Sequence, residues 1–241
     1  VALFKVVVPL VTLNMVVAQT FVVLFEPAAS RLYARKDPVG LNSFYWRSAV
    51  WVAVLSFPAF ALTFTASEPL TVLLFGERYA SAAPILSILA LGAFFESMVG
   101  FNGSALRVAG KLRWLVGTHV AAAVVNLALN IMLIPRMGAL GAGIASGTSW
   151  IIYAVFKQTG MRIGTGVSAF DRHYAGPYAS IALAALFLLI VRLIWPGPAV
   201  VLVGAATLAS MAVLLQARSK LSISETFPEL GRHQLLKLLL K

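Results

Sequence analysis

The sequence predicts an all-α, polytopic transmembrane helix bundle, and composition and apolar run length carry that prediction. Hydrophobic residues make up 60% of the 241 positions and charged residues only 11%, whereas a soluble domain is about 25% charged. A water-soluble fold of this length could not bury so much apolar surface. The apolar residues also fall into runs of roughly 20, the length that crosses a bilayer core about 30 Å thick.

About seven such runs follow one another along the chain. The predicted spans cover residues 3–26, 48–66, 80–106, 114–134, 138–157, 174–195 and 198–215. The third is longer than one crossing needs, so we expect it to tilt or to begin along the membrane interface. The sixth and seventh are separated only by the short turn WPGP. We therefore expect a transmembrane bundle over 1–216 and a tail over 217–241.

The basic residues predict the orientation of the bundle. Fifteen of the 19 Lys and Arg residues lie in the connections on one side or in the tail, and four lie on the other side. Those four are Lys5, Arg78, Arg136 and Arg192. Cytoplasmic connections are enriched in Lys and Arg, so we expect a cytoplasmic C-terminus and an outside start. The tail interleaves leucines with basic residues and is predicted to form an amphipathic helix on the cytoplasmic leaflet, with disorder as the alternative.

Several classes of function lack their sequence signals. The net charge of +11 needs no nucleic acid to explain it, because cytoplasmic anionic lipids attract basic residues. There is no phosphate-binding Walker motif and no HExxH zinc motif. The three histidines, His119, His173 and His233, show no ligand spacing, and the absence of cysteine excludes thiolate sites and disulfides. We therefore expect no enzymatic activity, no cofactor, no metal site and no nucleic-acid partner.

Polar residues at membrane depth are costly, and they are the candidates for function. In the third predicted span Glu96, Gly100, Gly103 and Arg107 recur at the spacing of one helical stripe, with Asn102 beside it. One interpretation makes Glu96 a proton or cation site in a cavity and Arg107 a basic end for an anionic head group. The alternative leaves Glu96 protonated or pairs it with a neighbouring helix, while Arg107 snorkels to the interface.

The fourth and first predicted spans supply further candidates for cavity lining. The fourth carries three polar residues at i, i+7 and i+11, namely His119, Asn126 and Asn130. The first carries Asn14 and Gln19. Interhelical hydrogen bonding is the alternative role for such amides. Glu26 precedes a proline and is expected near the inner interface in a structural role.

A tight hairpin is predicted between the fourth and fifth spans. In the segment PRMG (135–138) the proline is expected to end the fourth span, the arginine to meet water outside, and the glycine to permit the reversal. Past the turn, Ala139, Gly143 and Gly147 form a stripe of small residues. Such stripes let helix backbones approach closely in membranes.

Four segments resemble a known family in their order and spacing. They are LFEPAASRLYARKDPVGL (24–41), LTVLLFGERYASAAPILSILALGAFF (70–95), ALRVAGKLRW (105–114) and NLALNIMLIPRMGALGAGIASGTSW (126–150). They resemble the C-terminal half of polysaccharide-type lipid-linked oligosaccharide flippases, in the multidrug/oligosaccharidyl-lipid/polysaccharide exporter superfamily. The resemblance runs over 24–160, and the later spans match only in hydropathy. Family members typically have fourteen helices, of which seven spans would be helices eight to fourteen. The first residue is Val, and we expect a fragment of a longer polypeptide.

The resemblance implies a function. Such flippases move an undecaprenyl-diphosphate-linked oligosaccharide across the bacterial cytoplasmic (inner) membrane by alternating access, for polysaccharide or cell-envelope biosynthesis. It implies that the glycan meets hydrogen-bonding side chains and the diphosphate meets a cation, with Lys5 and Arg107 as candidates. The implied partners are the lipid-linked glycan, membrane lipids and a polysaccharide polymerase. A cation-coupled multidrug exporter with Glu96 as the coupling acid is the first alternative, and a non-transporting membrane scaffold is the second.

Overall fold

The computed structural model describes residues 2–194 and 198–218, and every regular element in these ranges is helical. The α-helices there are α1 (Ala2–Ala34), α2 (Pro38–Thr65), α3 (Ser67–Phe75), α4 (Ala83–Met98), α5 (Asn102–Val108), α6 (Leu112–Met137), α7 (Ala139–Thr165), α8 (Ala175–Ile194) and α9 (Ala199–Arg218). Two 3₁₀ turns, Glu77–Ala82 and Arg172–Tyr174, precede α4 and α8. The predicted tail lies outside the described residues from position 219 onward.

Seven helices in this part of the chain are long and apolar enough to cross a membrane, when each 3₁₀ turn is counted with the helix that follows it. This confirms the predicted fold class and span count. The short helices α3 and α5, of 9 and 7 residues, are the two that do not qualify. Successive spanning helices run in opposite directions, so the connections between them alternate between the two sides of the bundle. We call the side with the connections at 35–37, 109–111 and 166–171 the basic side.

The first two spans are longer than predicted, and the basic connection between them is shorter. Helix α1 continues through Glu26 and Pro27 to Ala34, so the chain turns within three residues. Asp37 ends this turn because its Oδ1 accepts a hydrogen bond from the backbone N–H of Gly40, at 2.8 Å. A side chain that caps a helix start in this way satisfies a backbone donor that would otherwise lack a partner. Most of residues 26–48, predicted as a basic connection, are helical, and only 35–37 form the turn.

The third predicted span is broken, which overturns one prediction. Helix α4 ends at Met98 and α5 begins at Asn102, with Gly100 between them at φ +73°. A side chain on Gly100 would also meet Ala49, since an added Cβ would lie 2.6 Å from the Ala49 Cβ. The break places Glu96 and Arg107 on different helices. The predicted single stripe through these residues is therefore wrong.

The hairpin between α6 and α7 turns at one residue. Helix α6 passes through Pro135 and Arg136 to Met137, so the prediction that the proline ends the span is wrong. Gly138 alone separates the helices, with φ 56° and ψ −131°, a conformation open mainly to glycine. Its N–H still donates to the carbonyl of Ile134, at 2.8 Å. The two helices consequently lie against each other along their length.

The core of the bundle surrounds α2 and α4, the spans with the largest buried shares. Aromatic rings fill it: Phe60 stacks on Phe94 with ring centroids 4.4 Å apart, and Phe25 stacks on Phe101 at 4.3 Å. Helix α6, in contrast, presents large apolar side chains outward. This is the arrangement expected of a peripheral spanning helix that faces lipid.

Glycines let α4 and α7 approach each other closely. A Cβ added to Gly92 would lie 2.7 Å from the carbonyl oxygen of Gly147, and one added to Gly147 would lie 3.0 Å from the carbonyl oxygen of Ile88. A Cβ on Gly143 would lie 3.0 Å from Cγ2 of Ile85. The small-residue stripe predicted from the sequence therefore packs against a neighbouring helix, as expected.

The close contact between Gly92 and Gly147 predicts that adding one methyl group at Gly92 destabilises the protein. We expect Gly92→Ala to lower the thermal midpoint and folded yield of the detergent-purified protein, because backbone atoms cannot move aside as a flexible side chain can. Overpacking of this kind costs about 1–3 kcal/mol. Gly117→Ala is the matched control, since an added Cβ there meets nothing within 4 Å. Equal midpoints for the two variants would contradict the close approach of α4 and α7.

Candidate functional site

A polar cavity of about 370 Å³ lies between α4, α6 and α7. Most of its lining residues carry hydrogen-bonding groups, and they are Glu96, His119, Asn126, Ser146, Ser149, Trp150 and Tyr153. The tight α6–α7 hairpin places polar residues of both helices opposite each other. Of the residues predicted from the sequence, Glu96, His119 and Asn126 share this cavity. Their role in transport stays a prediction.

An ion pair joins α4 to α7 at the cavity. The Nζ of Lys157 lies 3.0 Å from Oε1 of Glu96, and the two side chains are 8% and 24% exposed. The same Nζ lies 4.0 Å from the ring centroid of Tyr153, a cation–π distance. Of the two interpretations of Glu96, the structure has the carboxylate paired with a neighbouring helix. Because Glu96 lines the cavity and Lys157 does not, the acid is the more accessible partner.

Lys157 was missed by the sequence analysis. The prediction assigned it to the basic connection after the fifth span, whereas α7 continues to Thr165 and buries Lys157 two turns before its end. Helical side chains lean toward the N-terminus of their helix, which directs Lys157 back toward Tyr153 and Glu96. A signal was present in the sequence: Ser149, Tyr153 and Lys157 recur every four residues, which places them on one face.

A second hydrogen-bonded pair links α6 to α7. The hydroxyl of Tyr153 lies 2.6 Å from Nε2 of His119, and their ring centroids are 4.6 Å apart. The other ring nitrogen, Nδ1, lies 2.8 Å from the carbonyl oxygen of Leu115. A carbonyl can only accept a hydrogen bond, so Nδ1 carries the hydrogen. In the neutral imidazole Nε2 is then the acceptor, and Tyr153 donates to it.

A second ion pair holds α5 to α1. The guanidinium of Arg107 donates to Oε1 of Glu26 from two nitrogens, at 2.6 and 3.0 Å, and also to the hydroxyl of Ser104 at 2.8 Å. The Arg107 and Glu26 side chains are 47% and 37% exposed, so this pair is more exposed to solvent than the Glu96–Lys157 pair. Arg107 is therefore not merely snorkelling to the interface, and Glu26 has the structural role predicted for it.

The two ion pairs belong to one cluster. Arg107 lies close enough to act electrostatically on Lys157 and Tyr153. Two carboxylates and two cations thus sit near the same end of the bundle, and their charges cancel. Mutual pairing of this kind is how membrane proteins tolerate ionisable groups within spanning helices.

Two predicted cavity-lining residues join helices instead. Asn14 is fully buried and donates to Oγ1 of Thr63 at 3.2 Å, which links α1 to α2. Asn102 is also fully buried and donates to the carbonyl oxygen of Ala154 at 3.3 Å, which links α5 to α7. Both take the alternative role of interhelical hydrogen bonding. The prediction that they line a cavity is corrected accordingly.

The remaining predicted residues lie outside the cavity. The amide nitrogen of Asn130 donates to Oδ1 of Asn126 at 2.8 Å, so Asn130 orients a residue that does line it. Lys5 and Gln19 are exposed on α1, well apart from this site. With Thr12 and Glu26 they recur every seven residues and form a line of polar side chains along α1, which we call the polar seam.

The described residues offer no metal site. Within residues 2–194 and 198–218, no group of three or more His, Asp or Glu side chains could hold a metal ion. The side chains that line the cavity can form hydrogen bonds and ion pairs.

Fold and site together define a multi-pass helical membrane protein with a charged, polar cavity inside the bundle. The chain is 36% identical over 87 residues to an uncharacterized membrane protein of Methanocaldococcus jannaschii, in an alignment covering 35% of this chain and 17% of that protein. It is 24% identical over 143 residues to the probable low-salt glycan biosynthesis flippase Agl15 of Haloferax volcanii, covering 59% of this chain and 30% of that protein.

The aligned regions span less than a third of these curated relatives. No family model matches the chain, and no solved structure matches it. The two similarities support a multi-pass membrane protein that is flippase-like at most.

The two ion pairs should differ in their contribution to stability. We expect Lys157→Met to lower the thermal midpoint strongly, because removing one partner of a buried pair costs about 3–5 kcal/mol. Arg107→Met should cost at most about 1 kcal/mol, since the exposed pair is screened by water. Fluorescence-detected size exclusion after heating measures both midpoints.

A double variant tests whether the buried pair itself is responsible. Glu96→Gln combined with Lys157→Met removes both charges and should recover part of the stability lost in Lys157→Met. A double variant that is as unstable as the sum of the two single variants would show that Glu96 and Lys157 do not interact.

Proposed function

We propose that this chain is part of a membrane flippase that moves a lipid-linked oligosaccharide across the cytoplasmic membrane for polysaccharide or cell-envelope biosynthesis. The observation that carries the proposal is the polar cavity around Glu96, built into an otherwise apolar helix bundle. The similarity to a probable glycan biosynthesis flippase supports it. The proposal includes alternating access and an undecaprenyl-diphosphate carrier in a bacterial inner membrane. It assigns the chain a transport role and no enzymatic one.

The physical task of such a protein explains the composition of the cavity. An oligosaccharide carries hydroxyl groups that lose their water partners in hydrocarbon, and each unpaired polar group is costly there. Hydroxyls of Ser146, Ser149 and Tyr153, with the amide of Asn126, both donate and accept hydrogen bonds. We therefore assign the glycan to this cavity.

A different residue suits the diphosphate. Arg107 is the accessible cation of the cluster, whereas Lys157 lies behind Glu96 and is nearly buried. Guanidinium groups bind phosphate with paired hydrogen bonds. A phosphate at Arg107 would replace the carboxylate of Glu26. Lys5, at the opposite end of α1, remains a second candidate that a diphosphate could meet after crossing.

The polar seam on α1 supports a second hydrophilic surface. Lys5, Thr12 and Gln19 are exposed along a helix long enough to cross the membrane. Charged and amide side chains turned toward lipid would be unfavourable, so we assign this face to a hydrated space or to further protein. This fits the proposal that the chain corresponds to helices eight to fourteen of a fourteen-helix flippase, with the other lobe beyond the seam.

The orientation and partners are also part of the proposal. We assign the basic side and the C-terminus to the cytoplasm, because short cytoplasmic connections are rich in Lys and Arg. Membrane lipids, the lipid-linked glycan and a polysaccharide polymerase are the proposed partners.

A cation-coupled multidrug exporter is the second candidate, and Glu96 is the observation that favours it. Its carboxylate lines the cavity and is 24% exposed, so a cation could reach it. That cation would have to displace Lys157. The two functions separate by cargo, since an exporter would move apolar cations and a flippase would move the lipid-linked glycan.

The test uses the native protein reconstituted in liposomes that contain a fluorescent lipid-linked oligosaccharide. We expect Glu96→Gln to reduce the rate at which the glycan appears in the opposite leaflet by at least about tenfold, because it breaks the ion pair with Lys157 at the cavity. Glu77→Gln is the matched control, since Glu77 is an exposed acid at the other side of the bundle.

The same variant has a cellular readout. Cells that depend on Glu96→Gln protein should lose surface polysaccharide while protein abundance stays unchanged. Normal polymer in those cells, or export of drugs instead of glycan by the reconstituted protein, would overturn the flippase assignment.

A further inference from the structure

The hydrogen bonds of His119 fix which of its nitrogens can take up a proton. Nδ1 is committed to the carbonyl of Leu115, and Nε2 accepts from the hydroxyl of Tyr153 at 2.6 Å. Nε2 is thus the basic atom of the ring. His119 is exposed and lines the cavity, about 10 Å along α6 from the helix start on the basic side. A proton from water on that side can reach it.

Glu96, the residue that the sequence favoured for proton binding, is less suited to that role. Its carboxylate already has a cation, because the Nζ of Lys157 lies 3.0 Å away. Proton uptake by Glu96 would have to break that ion pair. The ring of His119 carries no ion-pair partner in the described residues that would hold it permanently charged.

We propose that His119 is the proton-binding residue of the cavity and that Tyr153 couples its protonation to the Glu96–Lys157 ion pair. This inference rests on the proposed function, because proton binding at His119 would make transport through the cavity depend on pH. One proton comes from water and stays on Nε2. No other bond forms or breaks, and Tyr153 keeps its own hydrogen.

The coupling follows from the change in hydrogen-bonding role. A protonated Nε2 becomes a donor, so Tyr153 can no longer donate to it and must accept instead. The hydroxyl hydrogen then turns to another acceptor, and the carboxylate of Glu96 lines the same cavity. Lys157 contacts both the Glu96 carboxylate and the Tyr153 ring. A hydrogen bond from Tyr153 to that carboxylate would therefore weaken the Glu96–Lys157 ion pair. Protonation at α6 thereby loosens the link between α4 and α7.

The charged and titratable groups around His119 come from four helices. Tyr153 contacts the ring from α7, and Glu96 lines the same cavity from α4. Lys157 and Arg107 are the charged neighbours of these two residues, and Arg113 precedes His119 on α6. Two of these cations are neutralised by acids in their own ion pairs, so they do not prevent uptake of a proton. Loosening the Glu96–Lys157 pair would expose Lys157 to a ligand in the cavity.

Histidine NMR on the nitrogen-15 labelled protein in nanodiscs gives the direct test. The chain has three histidines, so His119→Gln identifies the signal of interest by its loss. At pH 8 we expect His119 to have its hydrogen on Nδ1 and a hydrogen-bonded, unprotonated Nε2, and to gain a proton on Nε2 when the pH is lowered. A hydrogen on Nε2 at pH 8 would overturn the proposal.

The thermal midpoint reports the coupling. Protonation of Nε2 reverses the Tyr153–His119 bond and weakens the Glu96–Lys157 link, so the coupling predicts a protein that is less stable at pH 5.5 than at pH 8. We expect the wild-type midpoint to drop by about 2–4 °C, the shift that roughly 1 kcal/mol produces in a chain of this size. His119→Gln and Tyr153→Phe should both abolish that drop. His173→Gln, an exposed histidine in the 3₁₀ turn, should retain it.

The outcomes separate this inference from the proposed function. A wild-type pH dependence retained in Tyr153→Phe would overturn the coupling even if the liposome assay shows glycan transport. The expected tautomer and the expected midpoints would support the coupling even if no glycan moves. If His119→Gln fails to fold, His173→Gln and His233→Gln identify the His119 signal by elimination, so the NMR measurement still decides the matter.

Discussion

The close contact of α4 and α7 is the constraint on which the site depends. In lipid, helices gain little from burying apolar surface against each other, and small residues let them pack instead. Gly92 and Gly147 bring the two backbones into contact, and Glu96 lies one turn beyond Gly92. Lys157 then reaches the acid by leaning back along α7. Larger residues at the glycine positions would push the two helices apart and so separate the carboxylate from the ammonium.

The bend at Gly100 divides the charges into two pairs of different character. Had α4 continued, Arg107 would have shared a helix face with Glu96. Because the chain turns, Arg107 instead meets Glu26 on α1, where both side chains remain partly in water. The buried pair can hold the helices together, since separating it leaves an unpaired charge. The exposed pair can exchange partners at much lower cost.

Composition predicted the fold because each membrane-spanning segment must meet the same two requirements by itself, an apolar surface and a length that crosses the bilayer. A run of about 20 apolar residues must form a helix in which every backbone group is paired, so the spans and the small-residue stripe could be predicted. The break at Gly100 could not, since glycine is tolerated within membrane helices. Lys157 was assigned to a connection because hydropathy falls there, although its helix continues. The burial of Asn14 and Asn102 was equally inaccessible, because nearly uniform hydrophobicity does not tell which face of a helix is inside.

Several polar side chains at the cavity pair with one another, and this bears on how the cavity could exchange partners with a ligand. Tyr153 donates to His119, Asn130 donates to Asn126, and Lys157 pairs with Glu96. Under the proposed function, a glycan hydroxyl entering the cavity would replace one of these internal hydrogen bonds with another. A ligand shifts a conformational equilibrium only by its difference in affinity between two states. Under the proposed function, exchangeable internal bonds would keep that difference small, as suits a carrier that must both bind and release its cargo.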